Sequence, residues 1–261
     1  MKICLSSPLL FAYRMEDVFR IAHSLGYEGV EVWHFHLLKT GEDPQKLRKL
    51  ARELGLTLSV HALSWDLNFT SKLERVREAS LEMLEESIAL TQILEANPVV
   101  FHPGRITIPG DGEEDYWGLL VNGVRRLCAY GQPRGVDLAL EIMEHIPKEF
   151  FINPEDSARI IKEVSMPNLG ITFDAAHVPL ELDPLEFLRQ VSGVRHVHIS
   201  DLTPEKRHIA LGTGVRDFGP LVKYIRDKLQ VDVAIEGMEY KQDTWLASHN
   251  KREMDRLANS N

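Results

Sequence analysis

The sequence predicts a single α/β domain over residues 1–261, folded as a (β/α)8 TIM barrel. Eight short β-rich runs follow one another, and their first residues lie roughly 24 to 42 residues apart, the length of a strand, a helix and two turns. Most runs are mixed or continuously apolar, which is typical of parallel strands buried on both faces. The runs are ICLSS from Ile3, GVEVW from Gly29, TLSVHA from Thr57, VVFHPG from Val99, DLALEIM from Asp137, GITFDAAH from Gly170, VRHVHIS from Val194 and VDVAIEGM from Val231.

The segments between these runs contain signals for helix starts. Asp43, Asn153 and Asp183 each precede a proline, so a capping side chain stands before a residue whose missing N–H costs nothing at the first helical position. Ser71 and Glu74 have the spacing of a capping box, which predicts that a long helix opens there.

Helix faces and helix ends are also predicted from local pattern. Gly26 and Gly55 each follow a leucine and precede a β-rich run, which indicates left-handed residues that end helices. An approximate apolar stripe is predicted for the long helix, consisting of Leu73, Val76, Leu84, Ile88 and Leu94.

A doubly wound sheet uses the same strand and helix units, so the first turn has to distinguish the two folds. The stretch SSPLLFAYR from Ser6 contains no glycine, whereas a dinucleotide-binding sheet needs GxGxxG there to let the backbone approach a pyrophosphate. The chain also lacks a P-loop pattern. The barrel is therefore favoured.

Composition restricts the partners and the compartment. With 30 Lys and Arg against 39 Asp and Glu, the net charge of −9 offers no general surface for nucleic acid or membranes. Cys4 and Cys128 are too few for a disulfide framework, so we expect a reducing, cytoplasmic location. No run approaches the roughly 18 apolar residues of a membrane span.

Six ionisable residues stand at the ends of the last six β-rich runs. A barrel points all six at one mouth, where barrel enzymes keep their chemistry. They are His61, His102, Glu141, Asp174, His198 and Glu236, and we expect His177 and His208 to reach the same space.

Three carboxylates that converge on one cavity repel each other unless they are protonated or neutralised, and no lysine or arginine stands at the end of a neighbouring strand. A divalent cation supplies the missing charge, and neutral imidazoles complete its ligand shell. Mixed nitrogen and oxygen ligands favour Zn, Mn, Fe or Co over Ca or Mg. We expect one or two metal ions per chain.

Motifs around these residues resemble the xylose isomerase-like barrel superfamily, which includes sugar and sugar-phosphate isomerases and epimerases together with endonuclease IV. The resemblance covers nearly the whole chain, and its motifs fall in family order. They are VHAL at Val60–Leu63, FHPG at Phe101–Gly104, LE at Leu140–Glu141, FDAAH at Phe173–His177, HVHISD at His196–Asp201, RHIALGTG at Arg207–Gly214 and IE at Ile235–Glu236.

The resemblance implies a metal site of Glu141, Asp174, His198 and Glu236. It further implies that His61 and His102 match the additional zinc ligands of the endonuclease branch, with Glu141 bridging two metals, and that His177 and His208 match ligands of its third metal. Lys206 stands where that third site has an aspartate, and an ammonium group cannot ligate a cation. A complete site for three metals is therefore not expected.

Three functional classes remain open. A metal-dependent sugar isomerase or epimerase would use Glu141 and Glu236 as acid and base through an enediolate, with His177, Arg207 and Trp65 binding the substrate. An endonuclease IV-like phosphodiesterase, an AP endonuclease, would use two metals for hydrolysis. The third class is a barrel that binds a metal without turnover or performs other chemistry. The expected partner is a small sugar or sugar phosphate, and the sequence does not fix the oligomeric state.

Overall fold

Eight parallel strands form one closed barrel, in which each strand pairs with the next and β8 pairs with β1. The computed structural model describes residues 1–260. All eight predicted strands are present, so the predicted (β/α)8 fold is confirmed. They are β1 (Ile3–Ser6), β2 (Gly29–Trp33), β3 (Thr57–His61), β4 (Val99–Phe101), β5 (Leu138–Glu141), β6 (Leu169–Asp174), β7 (Val194–Ile199) and β8 (Val233–Ile235).

Helices surround the barrel, and the described residues contain nine α-helices. Two of them lie between β2 and β3, because a short helix begins at the residue after β2. The helices are α1 (Met15–Ser24), α2 (His34–Thr40), α3 (Pro44–Leu54), α4 (Glu74–Leu94), α5 (Glu114–Gly131), α6 (Pro154–Val164), α7 (Pro184–Gln190), α8 (Gly219–Tyr224), which continues as a π-helical turn, and α9 (Trp245–Asn259). None of the helices within residues 1–260 is both long and apolar enough to cross a membrane.

Three predicted helix starts are confirmed. The carboxylate of Asp43 accepts the N–H of Gln45 at 2.9 Å, and Asp183 caps α7 in the same way. At Asn153, the Oδ2 atom of Asp156 accepts the backbone N–H of the capping residue at 3.0 Å. These ends form where the sequence predicts them because a cap requires only neighbouring residues.

The predicted start of α4 is wrong. The helix begins at Glu74, and its N-cap residue is Leu73, which has no capping side chain. The hydroxyl of Ser71 accepts the N–H of Leu73, only two residues along, so it closes a turn before the helix rather than capping it. Leu73 and Val76 are exposed, whereas the other members of the predicted stripe are buried.

Strand register places the predicted site residues at one end of the barrel. Asp174 at the end of β6 pairs with His198 in β7, and Trp33 at the end of β2 pairs with His61 at the end of β3. Since all strands run parallel, their carboxyl ends open on one mouth. The strand residues beneath this mouth are buried, which fixes the backbone from which the site side chains project.

Candidate metal centre and active site

Four predicted residues from consecutive strands meet at the barrel mouth. Glu141 ends β5, Asp174 ends β6, His198 lies in β7 and Glu236 directly follows β8. One ligand atom from each lies within 4.8 Å of the others, and the Nδ1 atom of His198 is 3.1 Å from both a Glu141 and a Glu236 carboxylate oxygen. Three carboxylates and one imidazole thus face a common point.

Two carboxylate oxygens of this cluster are buried and accept no well-aligned hydrogen bond. Glu141 and Asp174 are each 1% exposed. Within residues 1–260, neither Oε2 of Glu141 nor Oδ2 of Asp174 accepts a well-aligned hydrogen bond, although Nε2 of His102 lies 3.2 Å from the former and Nε2 of His177 lies 3.5 Å from the latter. Oδ1 of Asp174 accepts the N–H of Ala176 at 2.6 Å. Buried anionic oxygens without partners are costly, and a divalent cation is the group that satisfies them. The residues present therefore fit a metal ion, held by oxygen and imidazole nitrogen ligands.

The electrostatics of the metal-free chain reflect this crowding. Burial raises the pKa of Glu236 to about 8 against the opposing effect of His198, and Asp174 and Glu141 raise it further. Burial would also raise the pKa of Glu141, but His198 and His102 hold it well below its usual range. Without a cation, the imidazoles carry the positive charge that the carboxylates require.

Glu31, a residue the sequence analysis did not select, lies beneath this cluster. It is fully buried in β2, and its Oε2 atom accepts hydrogen bonds from Nε2 of His196 at 2.9 Å and Nε2 of His198 at 3.0 Å. Because a carboxylate only accepts, His198 must carry its proton on Nε2 when neutral, which leaves the Nδ1 lone pair facing Glu141 and Glu236. A charged residue at the centre of the buried run GVEVW was the signal for it.

His61 and His102 form a second cluster on the other side of Glu141. Oε2 of Glu141 lies 3.2 Å from Nε2 of His102 and 3.7 Å from Nε2 of His61. Burial lowers the pKa of His102, whereas for His61 the carboxylates of Glu141 and Glu31 overcome burial and raise the pKa to about 9. This arrangement offers two nitrogens and one shared carboxylate to a second cation.

A third group consists of Asp174, His177 and His208. Nε2 of His177 is 3.5 Å from Oδ2 of Asp174, and Nδ1 of the same ring donates to the carbonyl of Ile142 at 2.8 Å. His208 contacts the hydroxyl of Ser200 through Nδ1 at 3.0 Å. The side chain of Lys206 is exposed. That the third site is incomplete stays a prediction.

Members of all three groups line one cavity of about 270 Å³. Trp65 forms part of its wall and packs against Trp33 with ring centroids 4.6 Å apart. Arg207, which the sequence predicts to bind substrate, is exposed and does not line this cavity. The lining residues are Ser6, Pro8, Trp33, His61, Ser64, Trp65, His102, Arg105, Glu141, Met143, Glu144, His177, His208, Glu236, Gly237 and Met238.

Two charged lining residues, Glu144 and Arg105, were not selected as site residues. Oε2 of Glu144 is buried 3.6 Å from Nε2 of His177 and has no hydrogen-bond partner in the described part of the chain. Both residues lie just beyond strand ends, on the loops after β5 and β4. Their positions shortly after predicted strands could have marked them as site candidates. A charged loop residue alone, however, does not indicate the direction of its side chain.

Comparison with known proteins gives consistent matches across the chain. A family model described as xylose isomerase-like TIM barrel matches residues 19–254. Fructoselysine 3-epimerase of Shigella flexneri is 26% identical over 231 residues, which cover 82% of this chain and 81% of the relative. An uncharacterized protein of Methanocaldococcus jannaschii is 27% identical over 194 residues; these cover 69% of this chain and 64% of the relative, just under two thirds of its length.

The solved structures agree with the sequence comparison on the fold. The structure of L-ribulose 3-epimerase superposes with a TM-score of 0.86 at 19% identity, covering 98% of this chain and 94% of that one. At this identity the likeness shows a common barrel and nothing about substrate.

Proposed function

Because the chain belongs to the xylose isomerase-like TIM barrel family, we propose that it is a divalent-metal-dependent isomerase or epimerase of a small sugar or sugar phosphate. One observation carries the proposal. Glu141 and Glu236 come from nonadjacent strands and approach the same histidine nitrogen within 3.1 Å, in a cavity of about 270 Å³, small enough for a monosaccharide. The similarity to fructoselysine 3-epimerase supports the same class of reaction.

Glu141, Asp174, His198 and Glu236 would hold the cation. When bound, a divalent cation of this kind supplies Lewis-acid stabilisation for the negative charge that develops on the oxygens of a hydroxy-carbonyl sugar. Zn, Mn, Fe and Co suit this donor set because an imidazole nitrogen accompanies the carboxylates.

Different side chains of the site then carry out the two proton-transfer steps and the positioning of the substrate. Glu141 and Glu236 reach the substrate from two directions, so one removes a carbon-bound proton and the other returns a proton to the enediolate that results. Nε2 of His177 faces the cavity while its Nδ1 is held by the carbonyl of Ile142, which suits this ring to orient a substrate oxygen. Trp65 provides an apolar wall that limits the access of water.

The test is solvent isotope exchange. We expect the Mn²⁺-loaded protein, incubated in heavy water with a panel of ketoses, aldoses, phosphosugars and fructoselysine, to place deuterium on the reacting carbon of at least one substrate. Glu236→Gln should reduce that exchange by about a hundredfold or more, since general acid–base groups contribute about 10²–10⁴-fold. Glu155→Gln, which alters an exposed carboxylate of α6, should leave it unchanged.

The second candidate is a phosphodiesterase that uses two metals, and the cluster of His61, His102 and Glu141 favours it. The net charge of −9 disfavours a DNA substrate, because the phosphate backbone requires clustered cations. Absence of deuterium incorporation across the whole panel, together with metal-dependent nicking of DNA that contains abasic sites, would replace the first proposal by this one.

A further inference from the structure

Arg105 is the one lysine or arginine among the residues that line the cavity. Its side chain is 51% exposed and belongs to the loop after β4, above the strand ends that hold the carboxylate cluster. A guanidinium has five N–H donors in a planar fork that matches phosphate and carboxylate groups. The position of the Arg105 guanidinium on the cavity wall therefore affects which substrates the site can bind.

The backbone around Arg105 is fixed by hydrogen bonds. Its N–H donates to Oδ1 of Asn68 at 3.0 Å and to Oγ1 of Thr70 at 3.1 Å, and its carbonyl accepts from Nδ2 of Asn68 at 2.9 Å. Gly104 has a φ of +90°, and a Cβ atom there would lie 2.3 Å from the Thr70 hydroxyl. Only glycine allows this approach, so the FHPG motif has the local function of placing Arg105.

The guanidinium is anchored at one edge and free at the other. Its Nε–H donates to Oε1 of Glu149 at 2.9 Å, and that carboxylate is only 2% exposed. The two terminal nitrogens make no hydrogen bond to any residue between 1 and 260. Arginine–carboxylate pairs are frequently bidentate, whereas this pair uses only the Nε–H and leaves four N–H donors of the guanidinium available to a ligand.

Resting on the proposed function, we propose that Arg105 binds an anionic substituent, a phosphate or a carboxylate, carried by the sugar that occupies this cavity. Glu149 orients the guanidinium by its single bond at Nε, and the terminal nitrogens meet the anion. The substrate class is thereby narrowed from sugars in general to sugar phosphates or sugars with an attached carboxylate. Arg105, which lines the cavity, takes the role that the sequence predicts for Arg207.

The experiment compares binding of matched ligands and needs no turnover. Dissociation constants are measured by calorimetry on the full-length, Mn²⁺-loaded chain for fructose, fructose 6-phosphate and fructoselysine. We expect at least one charged ligand to bind more tightly than fructose. The ligand whose advantage depends on Arg105 identifies phosphate or carboxylate as the anion, because the amino groups of fructoselysine would contact the carboxylates of the cavity and not a guanidinium. In Arg105→Ala that advantage should fall by about ten- to a hundredfold, the usual range for hydrogen bonds to a charged group, while binding of fructose changes little.

Two further variants complete the comparison. Arg105→Lys should retain part of the advantage, because the charge remains and the fork is lost. Arg189→Ala removes an arginine of similar exposure, 48%, that pairs with Glu186 on the surface of α7, and it should change nothing. Circular dichroism establishes that each variant is folded.

The inference is overturned if the unaltered protein binds charged and neutral ligands equally, or if Arg105→Ala keeps the full preference. It is also overturned if Arg207→Ala, and not Arg105→Ala, removes the preference. Since these readouts are binding ratios, they remain valid in a protein that shows no isotope exchange, so failure of the proposed reaction is recognised separately.

Discussion

Glu31 shows how a single buried carboxylate can organise a site that it does not enter. Its two oxygens are occupied by Nε2 of His196, Nε2 of His198 and, at 3.2 Å, the hydroxyl of Ser6. Hydrogen bonds of this kind offset the cost of burying a charged carboxylate. The consequence reaches the barrel mouth, because the bond to Nε2 determines which nitrogen of His198 faces the candidate metal site.

Replacing Glu31 by glutamine keeps the shape and removes the charge. We expect Glu31→Gln to weaken Mn²⁺ or Zn²⁺ binding by about ten- to a hundredfold, the range for changes in groups that orient metal-ligating histidines. Calorimetric titration measures this. Ser6→Ala, which removes only the contact to the other Glu31 oxygen, should have a smaller effect. Equal metal affinity in Glu31→Gln and the unaltered protein would show that Glu31 serves the fold alone.

The sequence predicts the six strand-end residues because parallel strands bring their carboxyl ends together whatever the details of packing. The same reasoning does not predict a role for Glu31, because this residue lies in the middle of its strand. Its contacts with His196 and His198 inside the barrel are visible only in the tertiary structure. The sequence likewise does not show that Arg105, and not Arg207, lines the cavity, because local sequence does not encode the direction of a loop side chain.

At the scale of elements, α1 shows a cap that comes from a distant part of the chain. Its N-cap residue, Arg14, has no capping side chain. The carboxylate of Glu42, from the loop between α2 and α3, instead accepts the N–H of Met15 at 2.7 Å and the N–H of Glu16 at 3.0 Å. The negative charge also lies at the positive end of the helix dipole.

This cap makes stability depend on pH. Burial would raise the pKa of Glu42, but the amide hydrogen bonds of Glu16 and Met15 outweigh it and lower the pKa. A lowered pKa means that the cap contributes its full free energy above the ordinary glutamate pKa of 4.5 and loses it as the pH falls through the lowered value. We expect Glu42→Gln to cost about 0.5–2 kcal/mol at pH 7, the range for lost caps, measured by urea unfolding.

The difference between Glu42→Gln and the unaltered protein should shrink as the pH falls below 4.5 toward the lowered pKa. Glu82→Gln, at an exposed position in α4, provides the control and should cost little at any pH. A cost that stays constant across this pH range would mean that the charge of Glu42 has no part in the cap.

Helix starts therefore separate into two kinds. Asp43 and Asp183 cap their own helices through residues two and three positions along, and sequence finds them. Glu42 caps α1 although it lies 27 residues from Met15 in the sequence. Ser71, which the sequence predicts to cap α4, instead closes the turn that precedes this helix. Local pattern cannot distinguish these outcomes, since each depends on where the barrel places the neighbouring loop.

At the scale of the whole molecule, the fold concentrates negative charge at one mouth of an already acidic protein. Glu31, Glu141, Asp174 and Glu236 all lie at or beneath the cavity, while Arg105 is the one arginine or lysine on its wall. Burial and mutual repulsion of these carboxylates oppose folding, and the neighbouring imidazoles offset this cost only in part, as the raised pKa of Glu236 indicates. A cation that binds only the folded state stabilises the whole barrel. Metal binding and global stability should consequently be linked.

We expect Mn²⁺ at a hundred times its dissociation constant to add about 2.7 kcal/mol to the free energy of unfolding, a rise in Tm of about 5–10 °C for a chain of this size.

Asp174→Asn separates charge from ligation, because the Asn oxygen can still accept the N–H of Ala176 while one charge of the cluster is gone. Without metal, this variant should unfold at the same or a higher temperature than the unaltered protein, yet gain much less from Mn²⁺. Thermal unfolding with and without a chelator measures both effects, and Ca²⁺, which prefers all-oxygen ligands, should stabilise the unaltered protein less than Mn²⁺. If Asp174→Asn and the unaltered protein respond to Mn²⁺ by equal amounts, the cation does not bind at this cluster.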